Sequence, residues 1–518
     1  MSDIRDYVQQ PFGTFAELFA LQAAEHPDKT ALVCSGRSIS YRDLDAMADR
    51  IAARLQEAGA GPGGVAAVCA AASIEYVAVF IGTLRTGAAI SPLSPSATAE
   101  QLAAMIADCQ ASHIFTDAGV SAQLAGVASG VEAEFVALDA GARGDALTDW
   151  MAPAGARPDP VSIQPGTAFN IIYSSGTTGT PKGIVQSHKM RWPHLQPADP
   201  PGLGPDAVGL VSTPLYSNTT LVAFLPALAG GGTVVLMPKF DARAFLELAQ
   251  EYRVTHAMLV PVQYQRILAV EDFDRFDLSA FRLKYCTSAP FSAELKGEVL
   301  RRWPGGLVEF YGMTEGGGSC ALVAHEHPDK LHTVGKAMPG HDLRVIGADG
   351  KPVPPGEVGE IVGRSAGMMT GYHGQPEKTR AAEWYSPEGE RFIRTGDLAT
   401  MDADGFFTIV GRAKDMIISG GMNIYPADLE AVLMEHEAVA DASVVGVPSN
   451  DWGETPVAFV CLSSPDAETA DALLAWANAR LGKMQRLAAV RVIDEMPRSA
   501  IGKVLKRALQ DAWAQTSG

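Results

Sequence analysis

The chain has 518 residues, with 41 lysines and arginines against 59 aspartates and glutamates, a formal net charge of −18. That balance excludes a general grip on nucleic-acid phosphates, which needs an exposed basic face. Hydrophobic residues at 47% and charged residues at 19% exclude a disordered chain, and the length permits several domains with a generous core.

The N-terminus, Met1-Ser2-Asp3-Ile4-Arg5-Asp6, lacks the basic region and apolar core of a secretory signal, so a cytoplasmic location is expected. Ser40-x-x-Asp43 reads as a capping box, followed by Leu44, Met47, Ala48, Ile51 and Leu55 at helical spacing and closed by Gly59. The apolar stretch Val65–Leu84 carries Glu75 and runs into Arg85, which fits core elements and not a membrane span. Apolar runs at Tyr76–Leu84 and Thr233–Met237 alternate with helical stretches at Glu100–Cys109 and Ala242–Tyr252, the pattern of α/β layers. Ala152–Gly166, rich in Pro, Ala and Gly, reads as a connector. Past the turn signal Asp404-Gly405, a strand-like Phe406–Val410 reaches the polar break at Gly411–Asp415. Beyond it come a Pro426-led helix, strands at Ala442–Val447 and Val457–Leu462, a helix near Ala467–Leu481, a strand at Val490–Ile493 and a final helix. Residues 412–518 therefore read as a separate small α+β domain on a flexible joint. Six scattered cysteines show no metal-ligand spacing and read as reduced core thiols.

Strand-like Phe169–Tyr173 runs into Ser174-Ser175-Gly176-Thr177-Thr178-Gly179-Thr180-Pro181-Lys182-Gly183. Small hydroxyl and glycine residues with one lysine let backbone N–H groups approach phosphate oxygens. The order Pro181-Lys182-Gly183 fails the Walker pattern. The segment closely resembles the phosphate-binding signature of the adenylate-forming superfamily of acyl-CoA synthetases, peptide-synthetase adenylation domains and luciferases. That resemblance is carried further by Tyr311-Gly312-Met313-Thr314-Glu315, Thr395-Gly396-Asp397, Gly411-Arg412-Ala413-Lys414-Asp415 and Gly502-Lys503, in the family's order.

The resemblance implies a large multi-subdomain α/β body, residues 1–411, holding AMP and the acyl pocket, and a small mobile α+β domain, 412–518, carrying a catalytic lysine. It implies an ATP-dependent ligase that joins a carboxylate to AMP, releases pyrophosphate and passes the acyl group to CoA. The alternative is loading of a carrier protein; a non-catalytic nucleotide-binding protein is the third reading. Ser174, Ser175, Gly176, Thr177, Thr178, Gly179 and Lys182 would surround the β- and γ-phosphates, and Glu315 would bind Mg²⁺, a hard cation suited to one carboxylate plus phosphate oxygens. Thr314 would touch the α-phosphate, and Tyr311 with Ala289 and Pro290 would enclose the adenine, beside Glu309 and Gly312. Asp397 would accept from the ribose hydroxyls, with Arg412 adding a donor. Lys503 would bridge the carboxylate and the α-phosphate, with Gly502 allowing close approach. Lys414 would be the hinge, and Gly420 and Gly421 would border the pantetheine channel. Expected partners are a small carboxylic acid, ATP and CoA, with neither nucleic acid nor an integral membrane segment; a homodimer stays open.

By the same resemblance, acid choice lies with Tyr216, Ser217 and Asn218, with Ser288 and with Gly316 and Gly317. Peptide-synthetase members place an aspartate near here for the substrate's α-ammonium; no acidic residue occurs from Thr213 to Leu225, so a buried ammonium would lack its partner and an amino acid is not expected. Within the resemblance the expected acid is a non-amino one, medium-chain fatty or aryl-propenoic. Ser217 stands where many aryl- and acyl-CoA ligases carry histidine, and Thr287-Ser288 where relatives often have Gly-Gly or Gly-Ala. Gly316-Gly317-Gly318 reads either as room for a long or bulky acid or as a loose turn. His188 and His256 read as structural residues. Between Arg480 and Arg507 stand eight basic residues against Asp494 and Glu495 alone, a local basic segment suited to nucleotide and CoA phosphates.

Overall fold

Ser40 starts the first long helix as its position predicts. Its Oγ accepts the backbone N–H of Asp43 at 3.1 Å, and Tyr41–Glu57 follows as a helix with Leu44, Ala48, Ile51 and Leu55 buried. In the computed structural model the described residues are all except 1–2, 174–180, 197–202, 420–421, 450–451, 465–466, 483–484, 500–501 and 517–518. Two units divide the chain: Met1–Leu331 with Ala337–Asp342 and Gly363–Ile393, and His332–Lys336 with Leu343–Val362 and Arg394–Gly518.

The first unit is built on two sheets. In one, Ala168–Tyr173, Ala89–Pro92, Val65–Cys69, His113–Thr116, Glu134–Ala137 and Asp145–Ala146 lie parallel in that order. Gly183–Ser187 pairs antiparallel with Ala168–Tyr173, and Gly371–Tyr372 with Gly183–Ser187. Val65–Cys69 is buried at every position, as a parallel strand covered on both faces must be. In the other sheet Thr30–Cys34, Thr233–Leu236, Val208–Val211, His256–Leu259, Leu283–Cys286 and Gly306–Tyr311 run parallel in order. Arg37–Ser40 and Cys320–Val323 pair antiparallel with its first and last members. The strands at 233 and 169 and the helices at 100 and 242 agree with the sequence reading. Tyr76–Leu84 does not behave as a strand: Ile74–Arg85 is a helix, buried over Tyr76–Leu84.

The second unit carries the antiparallel pairing of Arg391–Met401 with Phe407–Arg412, in which Asp397 faces Arg412. The expected joint at 412–414 lies inside this unit. Beyond it Ile417–Ser419, Met422–Ile424, Val439–Ser449, Gly453–Leu462 and Ala489–Val492 form a sheet. Helices Pro426–Met434, Ala470–Asn478 and Lys506–Thr516 accompany it. The two apolar clusters of this stretch draw every residue from 417–513, as a self-contained core would. All six cysteines are free and buried, as expected. Among the described residues no helix is long and apolar enough to cross a membrane.

Candidate active site

Four candidate segments of the first unit follow the carboxyl ends of parallel strands. Val211 leads to Thr213–Asn218, Cys286 to Thr287–Pro290, Tyr311 to Thr314–Glu315, and Tyr173 to the glycine-rich segment. This is where open α/β sheets present ligand sites. Tyr173 and Gly183 face one another across a ladder. The candidates Ser174, Ser175, Gly176, Thr177, Thr178 and Gly179 lie outside the described residues, as do Gly420 and Gly421 of the second unit.

Among the described residues Lys182, next to that segment, meets Glu315 and Tyr372, both far away in sequence. Its Nζ stands 3.8 Å from Glu315 Oε1 and 3.9 Å from the centroid of the Tyr372 ring. The Tyr372 hydroxyl donates to the same Glu315 oxygen at 2.9 Å. Burial and the neighbouring Glu315 push the Tyr372 phenol far above its ordinary range, so it remains a donor. Tyr372 therefore fixes one carboxylate oxygen of Glu315 and lies against the lysine charge, a cation–π contact. Sequence reasoning did not single out this tyrosine. Among the described residues no group of three or more His, Cys, Asp or Glu side chains could hold a metal. Glu315 alone suits Mg²⁺, which keeps waters and phosphate oxygens in most of its coordination positions.

Thr314 is anchored through its backbone: its carbonyl accepts from Gln186 Nε2 at 2.7 Å. Tyr311 ends its strand opposite Cys320. Ala289 is half-buried, while Pro290 and Gly312 are exposed. Glu309 is spent elsewhere. It forms a buried ion pair with Lys296, whose ammonium also donates to the Leu331 carbonyl at 2.7 Å. Burial pushes the Glu309 carboxyl up to about 7 against the pull of Lys296. The Glu309 side chain thus pairs with the helix Ala293–Arg302.

The acid segment closes on Ser288. Its hydroxyl hydrogen-bonds the Thr219 hydroxyl, and its φ is +83°, a left-handed conformation rare for a residue with a Cβ. Tyr216 and Asn218 are half-buried and Ser217 is buried at the start of the helix Asn218–Ala229. Gly316 closes a turn, its N–H donating to the Met313 carbonyl at 2.9 Å, and Gly317 follows it. Their φ values are +73° and +88°, and a Cβ on Gly316 would lie 1.7 Å from the Gly367 carbonyl oxygen. A Cβ on Gly317 would come within 2.8 Å of the Gly363 carbonyl oxygen. These glycines admit neighbouring backbone where a side chain could not fit.

In the second unit Arg412 Nε stands 3.0 Å from Asp397 Oδ1, and the Asp397 amide donates to Thr395 Oγ1 at 3.0 Å. The pair joins the two residues expected at the ribose. Lys414 is exposed just after the strand that carries Arg412. Lys503 is exposed at the end of a narrow turn. Its carbonyl accepts from Ser499 N at 2.8 Å, and Gly502 enters the turn at φ +78°. Arg498 ties the turn down, donating to the Gly502 carbonyl at 2.7 Å and pairing with Asp441 Oδ2 at 2.6 Å.

Residues 19–373 match the family described as AMP-binding enzyme, and 428–503 match the AMP-binding enzyme C-terminal domain. The chain is 34% identical to a feruloyl-CoA synthase of an Amycolatopsis species, over 94% of this chain and 96% of the relative. It is 34% identical to an indoleacetate–CoA ligase of Aromatoleum aromaticum, over 93% and 95%. The crystal structure of ATP-bound MatB from Rhodopseudomonas palustris superposes with a TM-score of 0.85 at 30% identity, covering 96% of this chain and 99% of that one. The chain belongs to the adenylate-forming family of AMP-binding enzymes. Within it the chain is an acyl-CoA synthetase, an ATP-dependent acid–CoA ligase using Mg²⁺ and CoA.

Proposed function

We propose that the chain activates an aryl-propenoic or closely related aryl acid, in the cytoplasm, by the residues assembled above. Support for the acid class comes from the feruloyl and indoleacetate relatives and from the absence of any acidic side chain between Thr213 and Leu225. Six free, buried thiols suit a reducing compartment.

The observation that carries the site reading is the convergence of Lys182, Glu315 and Tyr372 beside the glycine-rich segment. A carboxylate oxygen attacks the α-phosphorus of ATP, and pyrophosphate leaves; the CoA thiol then attacks the acyl carbon, and AMP leaves. Mg²⁺, when bound, neutralises phosphate charge beside Glu315. Lys182 meets the β- and γ-phosphates, and Thr314 meets the α-phosphate. Asp397 turns from Arg412 to the ribose hydroxyls. Lys503 supplies positive charge between the carboxylate and the α-phosphate, where two anions must meet.

Lys503→Ala separates the half-reactions. Acid-dependent ATP–pyrophosphate exchange should fall by about 10²-fold or more, while thioester formation from pre-made acyl-adenylate largely survives. Equal loss in both assays would remove Lys503 from the adenylation step.

A further inference from the structure

The helix His188–Leu195 carries a charge that none of these roles uses. Arg191 is only 1% exposed; its guanidinium lies 5.8 Å from the centroid of the Phe169 ring, and each of its hydrogen-bond partners is a neutral amide oxygen. Nε and Nη2 donate to Asn170 Oδ1, both at 3.2 Å. Nη2 also donates to Asn218 Oδ1 at 2.7 Å and to Gln186 Oε1. Nη1 makes no hydrogen bond among the described residues. No carboxylate pairs with Arg191 there either. The neighbouring bases add none of the missing negative charge: His188 has both ring nitrogens without a partner and is held neutral by burial. His194 is held neutral by burial, by the Arg191 charge and by His341. A buried cation without a counter-charge costs several kcal/mol, and local rules are broken in this way chiefly at functional sites.

Arg191 also stands where the acid segments meet. Asn218, its partner, opens the helix directly after Tyr216 and Ser217. Gln186, another partner, passes its amide to the Thr314 carbonyl. Met190, the preceding residue, touches the space over Gly316, its Cε 2.9 Å from where a Cβ would stand.

We propose that Arg191 is a specificity-determining residue that recognises an anionic oxygen group on the acid, away from the carboxylate that is activated. The substrate is then a dianion, with a second carboxylate, a sulfonate or a phenolate facing Nη1. This rests on the ligase reading and narrows its acid.

Matched acids test it: cinnamate against 4-carboxycinnamate, and hexanoate against adipate. In ATP–pyrophosphate exchange the dianionic member of at least one pair should show a kcat/KM at least about tenfold higher, the worth of one charge-assisted hydrogen bond. Arg191→Met should bring that ratio to about one, and Arg191→Lys should retain part of it. Equal loss for both members of a pair would make Arg191 a packing residue and overturn the proposal. So would a wild-type preference for the monoanion in both pairs, a result that needs no variant to fold. Calorimetric binding of the same acids without ATP separates the two readings. A dianion preference in binding with no exchange supports the Arg191 site and sinks the aryl-acid ligase reading; exchange without a preference does the reverse.

Discussion

Ser288 holds a side chain in a backbone conformation that favours glycine, and its one evident compensation is the hydrogen bond to Thr219. Strain of this kind costs of order 1–3 kcal/mol, and a neutral hydrogen bond returns about 1 kcal/mol. Ser288→Gly should therefore stabilise the protein by up to about 1 kcal/mol, measured by denaturant unfolding. It should also loosen Thr219 and so raise KM for the acid more than for ATP. A loss of stability, or an unchanged acid KM, would show that the strained serine is held for neither reason. Residues of this kind divide what the sequence can disclose from what it cannot. Lys182, Glu315, Asp397 and Lys503 are legible because each belongs to a short contiguous motif. Tyr372 and Arg191 act through partners 57 and 27 residues away, and no local pattern records such pairings. Gly316 and Gly317 were visible as glycines, but the backbone that fills the space beside them comes from residues 363–367.

Elements were legible where one face meets water. Tyr41–Glu57 shows its period because polar residues line the outer face, and Ala242–Glu251 likewise. Ile74–Arg85 is buried nearly all round, so the period vanishes and an apolar run fits strand or helix equally. The strand Gly306–Tyr311 and helix Ala293–Arg302 illustrate a different cost, that of the buried pair Glu309 and Lys296. Removing one partner of such a pair costs about 3–5 kcal/mol because the other charge stays buried. Lys296→Met should approach that cost only at alkaline pH, where Glu309 stays ionised even without its lysine. Glu309 has its folded pKa raised by burial to about 7 from an ordinary 4.5, so the folded state binds the extra proton and gains stability as pH falls. Loss of Lys296 removes the group that holds Glu309 down, so the variant gains more than the wild type and its deficit should shrink as pH drops from 8 to 5. Unfolding curves across that range measure it, and a deficit independent of pH would mean that Glu309 stays charged without its lysine.

At the scale of the whole chain, acid chemistry and thiol chemistry make opposite demands on one site: the first needs a cation between two anions, the second an open path for a long thiol arm. On the function proposed above, Lys182, Glu315 and the acid segments belong to the first unit, and Asp397, Arg412 and Lys503 to the second. Alternation of the second unit's C-terminal part about Lys414 would satisfy both demands in turn. Such a movement would leave intact the apolar clusters drawn wholly from 417–513. Lys414 itself is exposed between a strand that ends at Arg412 and one that begins at Ile417, so a substitution there acts on backbone freedom more than on packing. Proline fixes φ near −65° and removes one N–H. Lys414→Pro should then leave acid-dependent pyrophosphate exchange within about threefold of wild type and slow thioester formation from pre-made adenylate by about tenfold or more, the range expected when one conformational step of about 1.4 kcal/mol is added to the barrier. Parallel single-turnover assays of the two half-reactions read the difference. If both slow alike, the residue positions the adenylation lysine and does not serve as the pivot; if neither slows, the alternation turns about another point of the chain.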